Sequence, residues 1–326
     1  MSRPEKNPLI FQQDSNNLIF IDVDEVFSCK KLYDSPFLER LPVKISESSK
    51  MSSIVSRAVW KSHQLRSVRQ DTARTSVLEG LDDSSVHITQ DWAMKFLPLK
   101  YRETQSDWFG KRSISWHISV VALKKGGKLR TQAFVHIVEN CNQDGHVVVL
   151  IIEHVLHTLK NEHPELSNAY LRQDNAACYH STVVLETCSY MARKTGIAVR
   201  RVDFSDPQGG KGACDRKAAT IKAHVRRYVN EGHDVETASQ FKEAMLSSGG
   251  VHGLRVAVVD AVVCEKSDEP EVRWNGVSSL NNFQYLKNQI TVWRAYNVGK
   301  GKVVKRKAQA QGKIVLQRPS TACIKN

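Results

Sequence analysis

Apolar and polar residues alternate from Val86 to Leu97 (VHITQDWAMKFL). Val86, Ile88, Trp92, Met94 and Phe96 share one face and Asp91 lies on the other, which is the two-residue period of a half-buried strand. Ser113–Leu123 (SISWHISVVAL) and Leu129–Val138 repeat the strand pattern on either side of a Lys-Lys-Gly-Gly-Lys turn, which predicts a hairpin. The period then changes. Asp144–His163 carries Val147, Val148, Leu150, Ile151, Val155, Leu156 and Leu159 at helical spacing and stops at Pro164. Asn168–Gln173 is a short strand. Ser181 caps a helix to about Lys194 with Gly196 as its stop, and Ile197–Phe204 is a fifth strand. A loop, SDPQGGKGA, leads into a helix from about Cys214 to Asn230. Further on, a helix over Glu236–Leu246 and a strand over Arg255–Val263 are predicted.

The order is thus three strands, helix, strand, helix, strand, helix. It predicts an α/β fold of the RNase H-like type, a mixed five-stranded sheet flanked by helices, with its first and fourth strands adjacent at the centre. Residues 86–263 form this core, 1–85 a basic N-terminal region of unassigned role, and 264–326 a C-terminal extension. Within 1–85, Ile54–Arg69 reads as a basic helix with Val55, Ala58, Val59 and Leu65 on one side. From Tyr296 onward there are eight Lys or Arg and no acidic residue, which reads as a flexible basic arm.

Charge narrows the partners. A net +13 over 326 residues attracts polyanions, nucleic acid first and an anionic membrane surface second. No stretch reaches the ~18 apolar residues needed to span a bilayer, and the N-terminus has no apolar run of signal-peptide length. A cytosolic or nuclear protein is the expectation. The seven Cys include no Cys-x-x-Cys pair, which removes zinc ribbons and thioredoxin-like chemistry and leaves free thiols.

Three aspartates fall at distinct points of the element order. Asp91 is on the first strand, Asp174 just past the fourth, and Asp215 opens the helix after the fifth. If the first and fourth strands are neighbours, Asp91 and Asp174 converge at one end of the sheet, and the last helix brings Asp215 to the same place. Displacement at phosphorus uses two divalent ions roughly 3.5–4 Å apart. Mg²⁺ or Mn²⁺ takes hard oxygen ligands, so clustered carboxylates suit it. Each aspartate also has an ordinary explanation. Asp174-Asn175 suits a strand-ending turn and Asp215 a helix N-terminus, whereas Asp inside a strand is unusual.

The stretch from about Asp91 to Asp260 resembles the catalytic core of transposon-derived proteins with an Asp-Asp-Asp/Glu triad. The motifs that carry the resemblance are QDWAMKFLP, FGKRSISWH, RQDNAACYHS, VDFSDPQGGKGACDRKAATIKAHVRRYVNEGHDV and VWRAYNVGKGK. The resemblance implies an RNase H-like fold, Mg²⁺ or Mn²⁺ at Asp91, Asp174 and Asp215, a DNA substrate and self-association, although no heptad repeat marks an oligomer. A catalytically inactive relative that binds DNA or protein through the same fold is the competing reading. A 3′–5′ exonuclease wants Asp-x-Glu on the first strand and meets Asp91-Trp92-Ala93 instead.

Secondary candidates are nucleic-acid contacts. His180 suits a phosphate contact or a plain surface position. Lys211 sits in a loop where Gly209, Gly210 and Gly212 admit close backbone approach. Lys222, Arg226 and Arg227 either line a DNA groove or are merely solvated. His154 and His157 lack a partnering Cys or acid at zinc-ligand spacing. Trp92, Trp108, Phe109, Trp116 and Phe134 offer either core packing or a base-stacking surface. The run KVVKRKAQ at 302–309 suits nuclear import, phosphate binding or a solubilising tail.

Overall fold

Asp144 starts the longest apolar helix by accepting hydrogen bonds from His146 N at 3.0 Å and Val147 N at 3.1 Å, satisfying two donors that the first helical turn leaves open. The cap is local and half-buried, so Asp144→Ala is expected to cost about 1 kcal/mol, read as a lower denaturant midpoint at unchanged slope. The computed structural model of the chain describes residues 9–13, 17–21, 47–138, 143–205, 212–259, 274, 276–287 and 289–305.

Among the described residues, strands β1 (Leu9–Gln13) and β2 (Asn17–Ile21) pair with each other only. Helix α1 (Glu47–Glu79) precedes β3 (Ser85–Trp92). A short helix, α2 (Gln105–Trp108), lies between β3 and β4 (Ser115–Lys125). Gly126 and Gly127 at φ +57° and +74° turn β4 into β5 (Lys128–Val138), as the Gly-Gly signal predicts. Then follow α3 (Gly145–Glu162), β6 (Asn168–Gln173), α4 (Thr182–Cys188), α5 (Met191–Thr195), β7 (Ala198–Phe204), α6 (Ala213–Asn230), α7 (Ala238–Leu246) and β8 (Leu254–Val259). β9 (Asn282–Tyr285), β10 (Gln289–Trp293) and β11 (Lys302–Lys305) complete the described chain.

The sheet order is β11-β10-β9-β7-β6-β3-β4-β5-β8. Its middle block, β5-β4-β3-β6-β7, has an antiparallel meander on one side of β3 and parallel β6 and β7 on the other. That is the RNase H-like topology, with the first and fourth strands adjacent as expected. The expected five strands are present, the strand expected over Arg255–Val263 is β8 over Leu254–Val259 (260–263 lie outside the described residues), and three more widen the sheet to nine. β8 joins parallel to β5, and β9 antiparallel to β7.

Helices cover both faces. On one, α3, α4 and α5 bury Val148, Ile152, Leu156 and Leu185 against Ile88, Leu171 and Val202. On the other, α6 and α7 pack Ile221, Val225 and Phe241 against Trp116, Ile118 and Val135. Phe96 belongs to this second core, stacked on Phe241 at 4.0 Å. The expected shared face for Val86, Met94 and Phe96 therefore breaks after Trp92, where β3 ends, and Met94 is exposed.

α1 occupies the rest of the second face through polar groups. Gln70 and Asn282 exchange two side-chain hydrogen bonds, at 2.7 and 3.0 Å. Asn282 also donates to Asp203 at 2.7 Å, and Arg201 donates to Asp203 at 2.8 Å and to Ala73 O at 2.7 Å. Arg172 donates to Gln70 O at 2.6 Å. All of this is buried or nearly so, and the Tyr296 ring lies 4.4 Å from the Arg201 guanidinium. The helix is thus much longer than Ile54–Arg69. On its expected apolar side Val59 is exposed and Leu65 half-buried, the side chains of Val55 and Ala58 lying outside the described residues, while Ser62, Gln70, Ala73 and Val77 face inward.

Two other expectations are corrected. The single helix expected over Ser181–Lys194 is broken at Ser189–Tyr190 into α4 and α5, with Gly196 in the left-handed region at φ 77° closing the second. The expected flexible arm from Tyr296 is a strand over Lys302–Lys305, paired with β10. Residues 306–326 lie outside the described residues.

Candidate active site

β3 and β6 run parallel with Gln90 beside Gln173 in register. Gln173 donates to Gln90 Oε1 at 3.0 Å and Gln90 to Ser119 Oγ at 3.3 Å, so a buried amide chain locks the two strands and β4 at this level. Asp91 and Asp174 each follow one residue later, at the carboxy-terminal ends of neighbouring strands that are about 4.8 Å apart. Asp174 Oδ1 accepts from Ala176 N at 3.1 Å, a turn that ends the strand and fixes the carboxylate there.

α6 brings in the third aspartate. Its Cys214 thiol donates to Thr89 O at 3.3 Å and to Ile118 O at 3.6 Å, and Ile118 is the register partner of Asp91. The start of α6 is therefore planted beside Asp91. Asp215, the next residue, accepts from Gly212 N at 2.8 Å and so caps its own helix.

The electrostatics tie the three together. Burial, then the charges of Asp174 and Asp215, push the Asp91 carboxyl from 3.8 up to about 7. Burial also raises Asp174. The Cys178 thiol is pushed up to about 11, first by burial and then by Asp174 and Asp91, and Tyr179 is raised by burial and the same carboxylates. Among the described residues, no basic side chain contributes to the shift of Asp91 or Asp174.

This donor set suits a hard divalent cation in kind, since half-buried carboxylates without a compensating cation are stabilised by one. It is not a closed cage. Among the described residues, no three His, Cys, Asp or Glu side chains converge tightly enough to hold one ion. Asp91 and Asp174 are the adjacent pair, and Asp215 stands by with one oxygen engaged by its helix.

A consequence is measurable without metal. Between pH 3.8 and about 7 the folded chain keeps a proton on Asp91 that the unfolded chain has released, so this group's contribution to stability falls as pH rises through that window. Asp91→Asn is expected to be the more stable protein above pH 7 in EDTA, by about 1–2 kcal/mol after discounting for partial solvent exposure. The difference should vanish near pH 4. Thermal melts that coincide at every pH would mean an isolated, hydrated carboxylate.

The secondary candidates are scattered. His180 is buried, stacked on Phe204 at 4.0 Å and hydrogen-bonded through Nδ1 to Asn175, and burial pushes it down to about 4. It supports the core instead of facing a phosphate. Lys211, with Gly209 and Gly210, lies outside the described residues. Lys222 is half-buried with its ammonium 6.0 Å from the Trp116 ring, and Arg226 is exposed on the same helix. Arg227 reaches His224 at 3.2 Å. His154 bonds His136 at 2.9 Å, and His157 lies 3.9 Å from Glu153. Of the aromatic residues, Trp116 and Phe134 are core, Trp92 is half-buried, and Trp108 and Phe109 are exposed. The sequence reading missed the Gln90–Gln173 lock and the Cys214 anchor. A signal for the first was available, because Asp91 and Asp174 are each preceded by glutamine.

A family model described as a domain of unknown function (DUF8701) matches residues 70–296. The chain belongs to this family. The DUF8701 region begins at Gln70 and ends at Tyr296, the residues where α1 and the C-terminal strands meet over Arg201, and it includes all three aspartates. No curated protein matches the sequence. Among solved structures, the human cytomegalovirus terminase nuclease domain, Mn soaked and inhibitor bound, matches at 10% identity and a TM-score of 0.23, over 57% of this chain and 70% of that one. The Mos1 transposase paired-end complex with left transposon end matches at 10% identity and a TM-score of 0.29, over 66% of this chain and 59% of the transposase.

Proposed function

We propose that this chain is a transposase-like phosphodiester-cleaving or strand-transfer enzyme that acts on DNA with Mg²⁺ or Mn²⁺. The observation that carries the reading is the adjacency of Asp91 and Asp174 at the carboxy ends of β3 and β6, with the start of α6 anchored alongside. A bound divalent ion pair would activate the attacking oxygen and stabilise the leaving one in an in-line displacement at phosphorus. Asp91 and Asp174 would hold the ions from adjacent strands. Asp215 would close the site from α6 by turning its second oxygen inward. The Gln90–Gln173 pair keeps the two strands in register, so that both carboxylates stay level. The net charge of +13 supports DNA as the partner and a nuclear location, and the resemblance to transposases supports self-association.

A second reading, a DNA-binding relative without catalysis, is favoured by the engagement of Asp215 as a helix cap. One assay separates the two. The purified chain is incubated with supercoiled plasmid and Mn²⁺, with EDTA as control. Conversion to open circle in Mn²⁺ alone supports the enzyme; DNA binding without conversion supports the binding module.

A further inference from the structure

Between β3 and β4 the chain forms an arm, residues 93–114, that holds apolar side chains out in solvent. Met94 is 79%, Phe109 72% and Trp108 58% exposed, with Leu97 and Tyr101 also exposed. Large apolar groups gathered on one exposed segment mark an interaction surface.

The arm is braced from below. Ala93 N bonds Trp116 O at 3.1 Å, Phe96 pairs with Ile114, and Leu99 pairs with Val235 at the head of α7. Tyr101 N donates to Asp234 Oδ1 at 2.8 Å. Thr104 and Asp107 form a reciprocal capping box, and Lys100 holds Asp107 at 2.9 Å. Lys111 donates to Pro98 O at 2.7 Å, and its ammonium lies 4.8 Å from the centre of the Trp108 ring. The aromatic residues are thus presented by an ordered scaffold. Exposed Lys95, Arg102 and Arg112 are interleaved with them.

We propose that this arm is a base-stacking platform for unpaired nucleotides of the DNA strand delivered to Asp91 and Asp174; the inference rests on the DNA reading above. Aromatic faces stack on any base, and interleaved cations track the phosphates between bases. Met94 is three residues beyond Asp91, about 10 Å along an extended chain. The Met94 end of the arm thus begins beside the strand end that carries Asp91. Basic residues among the aromatics favour a nucleic acid over an apolar protein partner.

The test is fluorescence anisotropy with one labelled duplex, blunt or extended by a single-stranded tail, on wild type and the Trp108→Ala/Phe109→Ala double variant. Both side chains are exposed, so folding is expected to be unaffected, and a matching melting temperature verifies this. The double variant should bind the tailed duplex roughly 5- to 150-fold more weakly per stacked base, with the blunt duplex nearly unchanged. Trp108→Tyr should retain tail binding. Equal loss for both duplexes, or no loss for the tailed one, overturns the platform, as does a change of oligomeric mass with DNA affinity intact. If wild type shows no preference for the tail yet nicks plasmid in Mn²⁺, the platform fails and the enzymatic reading stands. If it neither binds nor nicks DNA, both fail.

Discussion

Asp174→Asn is expected to lower Mn²⁺-dependent nicking by about a thousand-fold or more while leaving the fold intact. Asn keeps the size of the side chain and an oxygen that can still accept from Ala176 N, so the turn after β6 survives. On the proposed reading, what it removes is one of two adjacent carboxylates, and with it an anionic ligand that would hold the ions. A thousand-fold loss corresponds to about 4 kcal/mol of transition-state stabilisation, in the range expected for an impaired metal site. Asp91→Asn should have a similar effect, and the double variant should be little worse than either, because the two carboxylates act as a unit. Binding of DNA in EDTA should be unaffected. Wild-type rates in Asp174→Asn would eliminate carboxylate-held metal as the source of cleavage.

The largest stability effect is expected away from the active site, at Asp203. Its carboxylate is 3% exposed, with Arg201 on one oxygen and Asn282 on the other. Burial raises its pKa even against the opposing charge of Arg201. Asp203→Ala leaves the buried Arg201 guanidinium without its counter-charge and Asn282 with one of its two acceptors, Gln70 Oε1. Breaking such a pair from one side costs about 3–5 kcal/mol. For a domain of this size that is a fall of roughly 6–20 °C in melting temperature. Replacing both partners, as Arg201→Met with Asp203→Leu, removes the unpaired charge and should recover most of the loss. A double variant as unstable as the single one would show that the ion pair itself, and not the stranded charge, sets the cost.

The legible parts of this chain were those where burial follows hydrophobic pattern. β3, the β4–β5 hairpin, α3, β6 and β7 sit against apolar helices, so their periods report their faces, and the element order gave the RNase H-like topology. The two strand-end aspartates were legible for the same reason, since each interrupts or ends an apolar strand. α1 was misread because part of its inward face is polar: Gln70 is buried through amide exchange with Asn282, a partner 212 residues away that no local pattern reveals. The β9–β10 hairpin was missed because its strands have only four and five residues. The Cys214 anchor escaped because its acceptors are backbone carbonyls, which carry no sequence signature.

The Gln70–Asn282 link also sets a timetable for biosynthesis. At roughly 5–20 residues per second, a ribosome takes about 10–40 s to make the chain between them. Asp203, made 79 residues before Asn282, waits about 4–16 s of that time for the amide that donates to it. Until Asn282 is made, the Arg201–Asp203 pair therefore lacks the amide that donates to its second carboxylate oxygen.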